Sequence, residues 1–112
     1  MANEDPMTLF HIDGFPLGGE RVYAIAEVGN NHNGSLELAR QLVDAAIEAG
    51  ADCVKFQLRN RDALYRRKAD GSRAEDLGVE YIQDLLDKVE LSLDEHREVR
   101  AYCAKKGITY LC

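Results

Sequence analysis

A chain of 112 residues suits one small domain, and 46% hydrophobic with 30% charged residues is the balance of a folded soluble protein, not a disordered one. Its 14 Lys and Arg against 20 Asp and Glu leave a net charge of −6, which argues against general binding to nucleic acid or an anionic membrane. No apolar run approaches the roughly 20 residues of a membrane helix, the acidic start is no signal peptide, and three scattered cysteines point to reduced thiols in a cytoplasm.

Residues 1–8 are expected to form a disordered tail ahead of one domain over 9–112. Phe10, Ile12 and Phe15 lie around Asp13-Gly14, a turn pair that predicts a short β-hairpin. Val22–Val28 is a nearly continuous apolar run, as in a strand covered on both faces. Gly29-Asn-Asn-His-Asn-Gly34 interrupts it as a loop. Ser35 is placed to cap a helix, and Glu37 in the first turn complements the helix dipole. Leu38, Leu42, Ala45, Ala46 and Ala49 recur at helical spacing, with Val43 and Ile47 widening the stripe. Gly50 ends it. After Ala51-Asp52, Cys53–Gln57 reads as a second strand, which completes a βαβ unit with a parallel strand pair.

Residues 58–78 are polar and lack a clear period, and Tyr81, Ile82, Leu85, Leu86 and Val89 then resume helical spacing. Ser92-Leu-Asp-Glu95 is a capping box that opens a helix from Leu93 to Lys105-Lys106, stopped by Gly107. Ile108–Cys112 begins a third strand. The alternation predicts an α/β fold with a parallel sheet. A complete (β/α)8 barrel takes at least about 200 residues. The expected architecture is therefore the N-terminal part of a TIM-type (β/α)8 barrel, about three β/α units truncated at the third strand, preceded by the hairpin.

Side chains along a strand alternate between its faces. Tyr23, Ile25 and Glu27 share one face, as do Cys53, Lys55 and Gln57, while Val54 and Phe56 turn toward the helices. Glu27, Lys55 and Gln57 therefore converge on the inside of a closing barrel near the C-terminal strand ends, where such barrels build active sites. Periodicity leaves two readings of the acid and base open, a structural ion pair or catalytic groups. Lys55 is open to binding an anion as a point charge or, once desolvated, to Schiff-base chemistry. The Gly29–Gly34 loop precedes a helix N-terminus, a position open to anion binding or to plain turn work, and His32 within it is open to substrate binding. His11 and His96 read as structural or exposed. Arg59, Arg61, Arg66, Arg67, Lys68 and Arg73 make a basic stretch, either an anion-steering loop or a solvated one. Cys53 and Cys103 read as small core residues, and no Cys-x-x-Cys or His/Cys cluster marks a zinc site.

At these residues the sequence closely resembles the N-terminal part of the sialic-acid (N-acetylneuraminate) synthase family. Ile25-Ala-Glu-Val-Gly-Asn-Asn-His-Asn-Gly34, Leu42-Val-Asp-Ala-Ala-Ile-Glu-Ala-Gly-Ala-Asp52 and Val54-Lys-Phe-Gln57 carry the resemblance. Leu91-Ser-Leu and Tyr102-Cys-Ala-Lys-Lys-Gly-Ile-Thr-Tyr-Leu-Cys112 extend it over nearly all of the chain after Leu9. The resemblance implies a barrel enzyme that condenses phosphoenolpyruvate with N-acetylmannosamine or a related amino sugar and releases phosphate. It implies Glu27 as the acid/base group, Lys55 as a phosphoenolpyruvate-binding cation and Gln57 as part of the sugar pocket. It also implies a divalent metal, manganese or magnesium, whose histidine ligands lie outside this sequence, and a full-length homodimer in the cytoplasm. The 112 residues alone are expected to be inactive. A lysine Schiff-base aldolase and a non-catalytic binding or vestigial fragment are the alternative readings.

Overall fold

The computed structural model describes Met7, residues 9–60, Ala63 and residues 84–112. The expected tail (Met7 apart), most of the basic stretch and the first residues of the helix expected near Tyr81 lie outside the described residues. Strands β1 (Phe10–Ile12) and β2 (Phe15–Leu17) form the expected antiparallel hairpin, with Ile12 opposite Phe15. Asp13 and Gly14 both take positive φ, as a two-residue hairpin turn of matching twist requires.

Strand β3 spans Ile25–Gly29 and not the whole apolar run from Val22, which is 84% exposed. Its pairing starts late because Asp52 takes the place of a strand partner just upstream. The Ala24 N–H donates to Asp52 Oδ2 at 2.8 Å, and the Ala24 carbonyl accepts from the Asp52 N–H at 2.9 Å. Strand β4 (Cys53–Phe56) then pairs parallel with β3 from Ile25 opposite Cys53, and β5 (Thr109–Leu111) pairs parallel with β4. The sheet runs β3-β4-β5, so strands adjacent in sequence are adjacent in space.

Helix α1 (Leu36–Glu48) is capped by Ser35, whose Oγ accepts from the Leu38 N–H at 3.1 Å. It buries Ala39, Val43 and Ala46, a stripe rotated from the expected one, and leaves Ala45 and Ala49 exposed. Val43 and Ala46 belong to both stripes; burying the small Ala39 beside them lets the helix backbone come close to the sheet, with Leu36 and Leu42 at the margins. Residues 84–89 are helical, with Leu86 buried and Leu85 turned outward. Helix α2 (Leu93–Lys106) opens on the expected capping box. The Glu95 N–H donates to Ser92 Oγ at 3.1 Å, and the Ser92 N–H donates to Glu95 Oε2 at 2.7 Å.

Both helices end in the same closure. Ala51 N–H reaches the Ala46 carbonyl and Gly50 N–H the Ile47 carbonyl, just as Ile108 reaches Cys103 and Gly107 reaches Ala104. This double bond pattern turns the chain sharply from helix into the next strand.

The two helices pack on each other and on the sheet face that carries Val28, Val54 and Phe56, and they bury Val99 and Cys103 against it. Cys53 and Cys103 are fully buried, as core residues should be. The opposite face carries Ile25, Glu27, Lys55 and Leu111, all exposed. Parallel sheets are ordinarily covered on both faces. Here the helices cover one, and on the other Cys53 alone of the β4 residues is buried, beside Tyr23.

Candidate functional site

The site is set by strand register. Because Ile25 sits opposite Cys53, Glu27 falls opposite Lys55, and both side chains emerge on the helix-free face. Lys55 Nζ lies 3.6 Å from Glu27 Oε2, with the two side chains 51% and 49% exposed. An ion pair that wet contributes at most about 1 kcal/mol to stability. Its placement is therefore poorly explained by folding alone.

One residue further on, the register slips. Gly29, not Val28, pairs with Phe56, so β3 carries a bulge at its C-terminal end. Gly29 has φ +55°, and a Cβ there would stand 3.3 Å from Glu27 Oε1 and 3.5 Å from Gln57 Nε2. Glycine thus permits the turn and keeps open the space between the acid and the amide. Gln57 is held from behind: Arg59 Nη2 donates to Gln57 Oε1 at 2.6 Å, and Asn30 Nδ2 donates to the same oxygen at 3.4 Å. Arg59 Nη1 and Asn30 Oδ1 are buried without a hydrogen bond among the described residues.

The structure brings Glu27, Lys55 and Gln57 together on one face at the strand ends. It also adds Gly29, Asn30 and Arg59, which strand parity and turn chemistry leave unassigned. Arg59 is legible in principle, since 53, 55, 57 and 59 continue the alternation by two, although the sequence also sets it at the head of a run of cations. Nothing local in the sequence marks the bulge that brings Asn30 to Gln57.

His32 is elsewhere. It is fully buried on the helix side, stacked on Phe56 at 5.9 Å between centroids, and its Nδ1 accepts from the Gly34 N–H at 3.0 Å. A substrate on the open face has no access to it. In the loop itself the N–H groups of Asn31, Asn33, Gly34 and Ser35 bond within the loop and to the end of β3, the turn work that the sequence also allows. Among the described residues no group of three or more His, Cys, Asp or Glu could hold a metal ion. A cavity of about 220 Å³ lined by Asp13, Arg100, Ala104, Ile108, Thr109 and Tyr110 contains none of the residues of this site.

His96 is buried as well, with Nδ1 2.7 Å from the Tyr110 hydroxyl, and Phe56 stacks on Tyr110 at 5.5 Å. Burial lowers the pKa of His32, assisted by His96 and opposed by Glu95 and a Gly29 backbone hydrogen bond. Burial lowers that of His96 against the pull of Glu95 and Glu90. With folded values below the unfolded value of about 6.5, the unfolded chain binds more protons in between. The stability from these neutral histidines is therefore present above that pH and lost as pH falls through the folded values. The melting temperature should fall between about pH 7.5 and pH 5; a flat profile there would contradict the buried, neutral assignment.

Comparison with known proteins gives this geometry a context. The chain is 33% identical over 109 residues to human N-acetylneuraminate-9-phosphate synthase, an alignment covering 94% of the chain and 30% of that protein. It is 36% identical over 94 residues to N,N'-diacetyllegionaminic acid synthase of Legionella pneumophila, covering 80% and 26%. The crystal structure of N-acetylneuraminic acid synthetase from Leptospira borgpetersenii, in complex with citrate, superposes with a TM-score of 0.72 at 27% identity over 91% of the chain and 32% of that structure. The chain thus spans between a quarter and a third of the length of these relatives. A match to the family described as NeuB covers residues 42–112, from the middle of α1 through the Lys55 strand to the last strand. Sequence, fold and family pattern agree: this chain belongs to the NeuB family, whose relatives include sialic and legionaminic acid synthases.

Proposed function

We propose that these residues are the N-terminal part of a (β/α)8 barrel enzyme that makes a nonulosonic acid by joining phosphoenolpyruvate to an N-acetylated amino sugar. The observation that carries the reading is the Glu27–Lys55 pair, in register at 3.6 Å on the open sheet face, with the Gln57 amide beside it. In-order parallel strands with both helices on one face have the layout of an opening barrel segment, whose free face becomes the interior. In this reaction the methylene carbon of the donor attacks the sugar aldehyde, water adds to the resulting cationic carbon, and phosphate leaves. Lys55 holds and neutralises the anionic donor. Glu27 moves the proton to or from the water or the new alcohol. Gln57 contacts the sugar.

A divalent metal, manganese or magnesium, belongs to this reading as a group held by histidines outside these 112 residues. The described residues do not fit one, and no step here is routed through it. Among the described residues no helix is long and apolar enough to cross a membrane, and all three cysteines are free thiols, in accord with a cytoplasmic setting. With Glu27 and Lys55 half exposed, the 112-residue chain by itself is proposed to be inactive, and the whole protein to work as a homodimer. The test is phosphate release from phosphoenolpyruvate by the full-length protein, measured with N-acetylmannosamine and with the legionaminic and pseudaminic precursors in parallel. Release that depends on one of these sugars supports the reading, and none with any of them overturns it.

A further inference from the structure

The orientation of the Gln57 amide follows from the chemistry of its neighbour. A guanidinium has only donors. The Gln57 atom 2.6 Å from Arg59 Nη2 must therefore be the carbonyl oxygen, and Asn30 Nδ2 approaches that same oxygen. The amide NH2 is left on the other side, where Nε2 shares with Glu27 Oε1 the space that the missing Gly29 side chain leaves free. Without a charged donor at its back, the amide could turn over at little cost, because its two ends differ only in hydrogen bonding. A charge-assisted bond of this length is strong enough to fix it.

We infer that Arg59 is a positioning residue that locks Gln57 with its NH2 group facing the site, so that Gln57 recognises an acceptor oxygen of the sugar. This rests on the proposed function for the identity of the ligand, and on the Arg59–Gln57 contact alone for the orientation. A neighbour that only donates should preserve the arrangement, a neutral apolar one should release it, and one that only accepts should reverse it. No purely structural role for Arg59 predicts that order.

The test uses the full-length protein and the variants Arg59→Lys, Arg59→Met and Arg59→Glu, each first checked for an unchanged melting curve. The KM for the sugar is expected to stay within about 3-fold in Arg59→Lys, to rise about 2- to 10-fold in Arg59→Met, as for one lost neutral hydrogen bond, and to rise furthest in Arg59→Glu. The KM for phosphoenolpyruvate should hold in all three. A rise confined to the phosphoenolpyruvate KM overturns the inference, since it makes Arg59 an anion ligand; equal sugar KM values across the series overturn it too. In parallel, the Gln57 side-chain NH2 resonances of 15N-glutamine-labelled protein, identified by their loss in Gln57→Glu, should move in Arg59→Met and hold in Arg59→Lys. Resonances unmoved in Arg59→Met refute the lock even in a protein with no turnover, where the proposed function alone would have failed.

Discussion

Glu27→Gln in the full-length protein is expected to lower kcat by about 10²- to 10⁴-fold, the usual span for losing a general acid–base group. The substitution keeps the size of the side chain and its position on β3, so the sheet register that places residue 27 opposite residue 55 should survive. What it removes is the ability to take or give a proton. It also removes the counter-charge 3.6 Å from Lys55 Nζ, which leaves that ammonium freer to pair with an anionic donor. Donor affinity should therefore hold or tighten while turnover collapses. Titration calorimetry with phosphoenolpyruvate, beside steady-state kinetics, separates the two effects. Normal turnover in Glu27→Gln would remove this residue from the mechanism, whereas an equal loss of binding and turnover would make it a structural member of the ion pair.

The face on which these groups meet was legible from alternation alone. Lys55 stands between Val54 and Phe56, both buried in the core, and that pattern fixes its direction regardless of any family likeness. Helix ends were equally legible, because Ser35, Ser92 and Gly107 act through bonds to their own backbone neighbourhood. What the pattern did not show was set by contacts distant in sequence. The start of β3 depends on the Asp52 carboxylate meeting the Ala24 N–H, 28 positions apart. The inward face of α1 holds the expected Val43 and Ala46, but close approach to the sheet adds Ala39 and leaves Ala45 and Ala49 outside. The loop neighbours of His32 leave it open to substrate binding, while its partner Phe56 comes from the next strand and draws it into the core. In the site itself, the polar groups on regular strands could be counted by parity. Asn30, brought in by a bulge, could not.

Lys55→Met is expected to weaken phosphoenolpyruvate binding about 10- to 100-fold, the range for losing one charge-assisted hydrogen bond to an anion. In the 112-residue chain folding stability should change by less than about 1 kcal/mol, because there the pair with Glu27 is half exposed and the methionine retains most of the aliphatic stem. Sugar affinity should change far less than donor affinity, since Gln57 and Arg59 keep their own bond. The same variant addresses the rival chemistry. A Schiff-base lysine needs an uncharged, desolvated amine to become nucleophilic, whereas Lys55 Nζ lies 3.6 Å from the Glu27 carboxylate, a neighbour suited to a cation. Borohydride reduction of the full-length wild-type protein with pyruvate or phosphoenolpyruvate should accordingly leave its mass unchanged. A covalent adduct that maps to Lys55 and vanishes in Lys55→Met would overturn point-charge binding and make the protein an aldolase of a different kind. A donor affinity untouched by Lys55→Met, with no adduct, would leave the acid–base pair without a role in binding and overturn the assignment of Lys55.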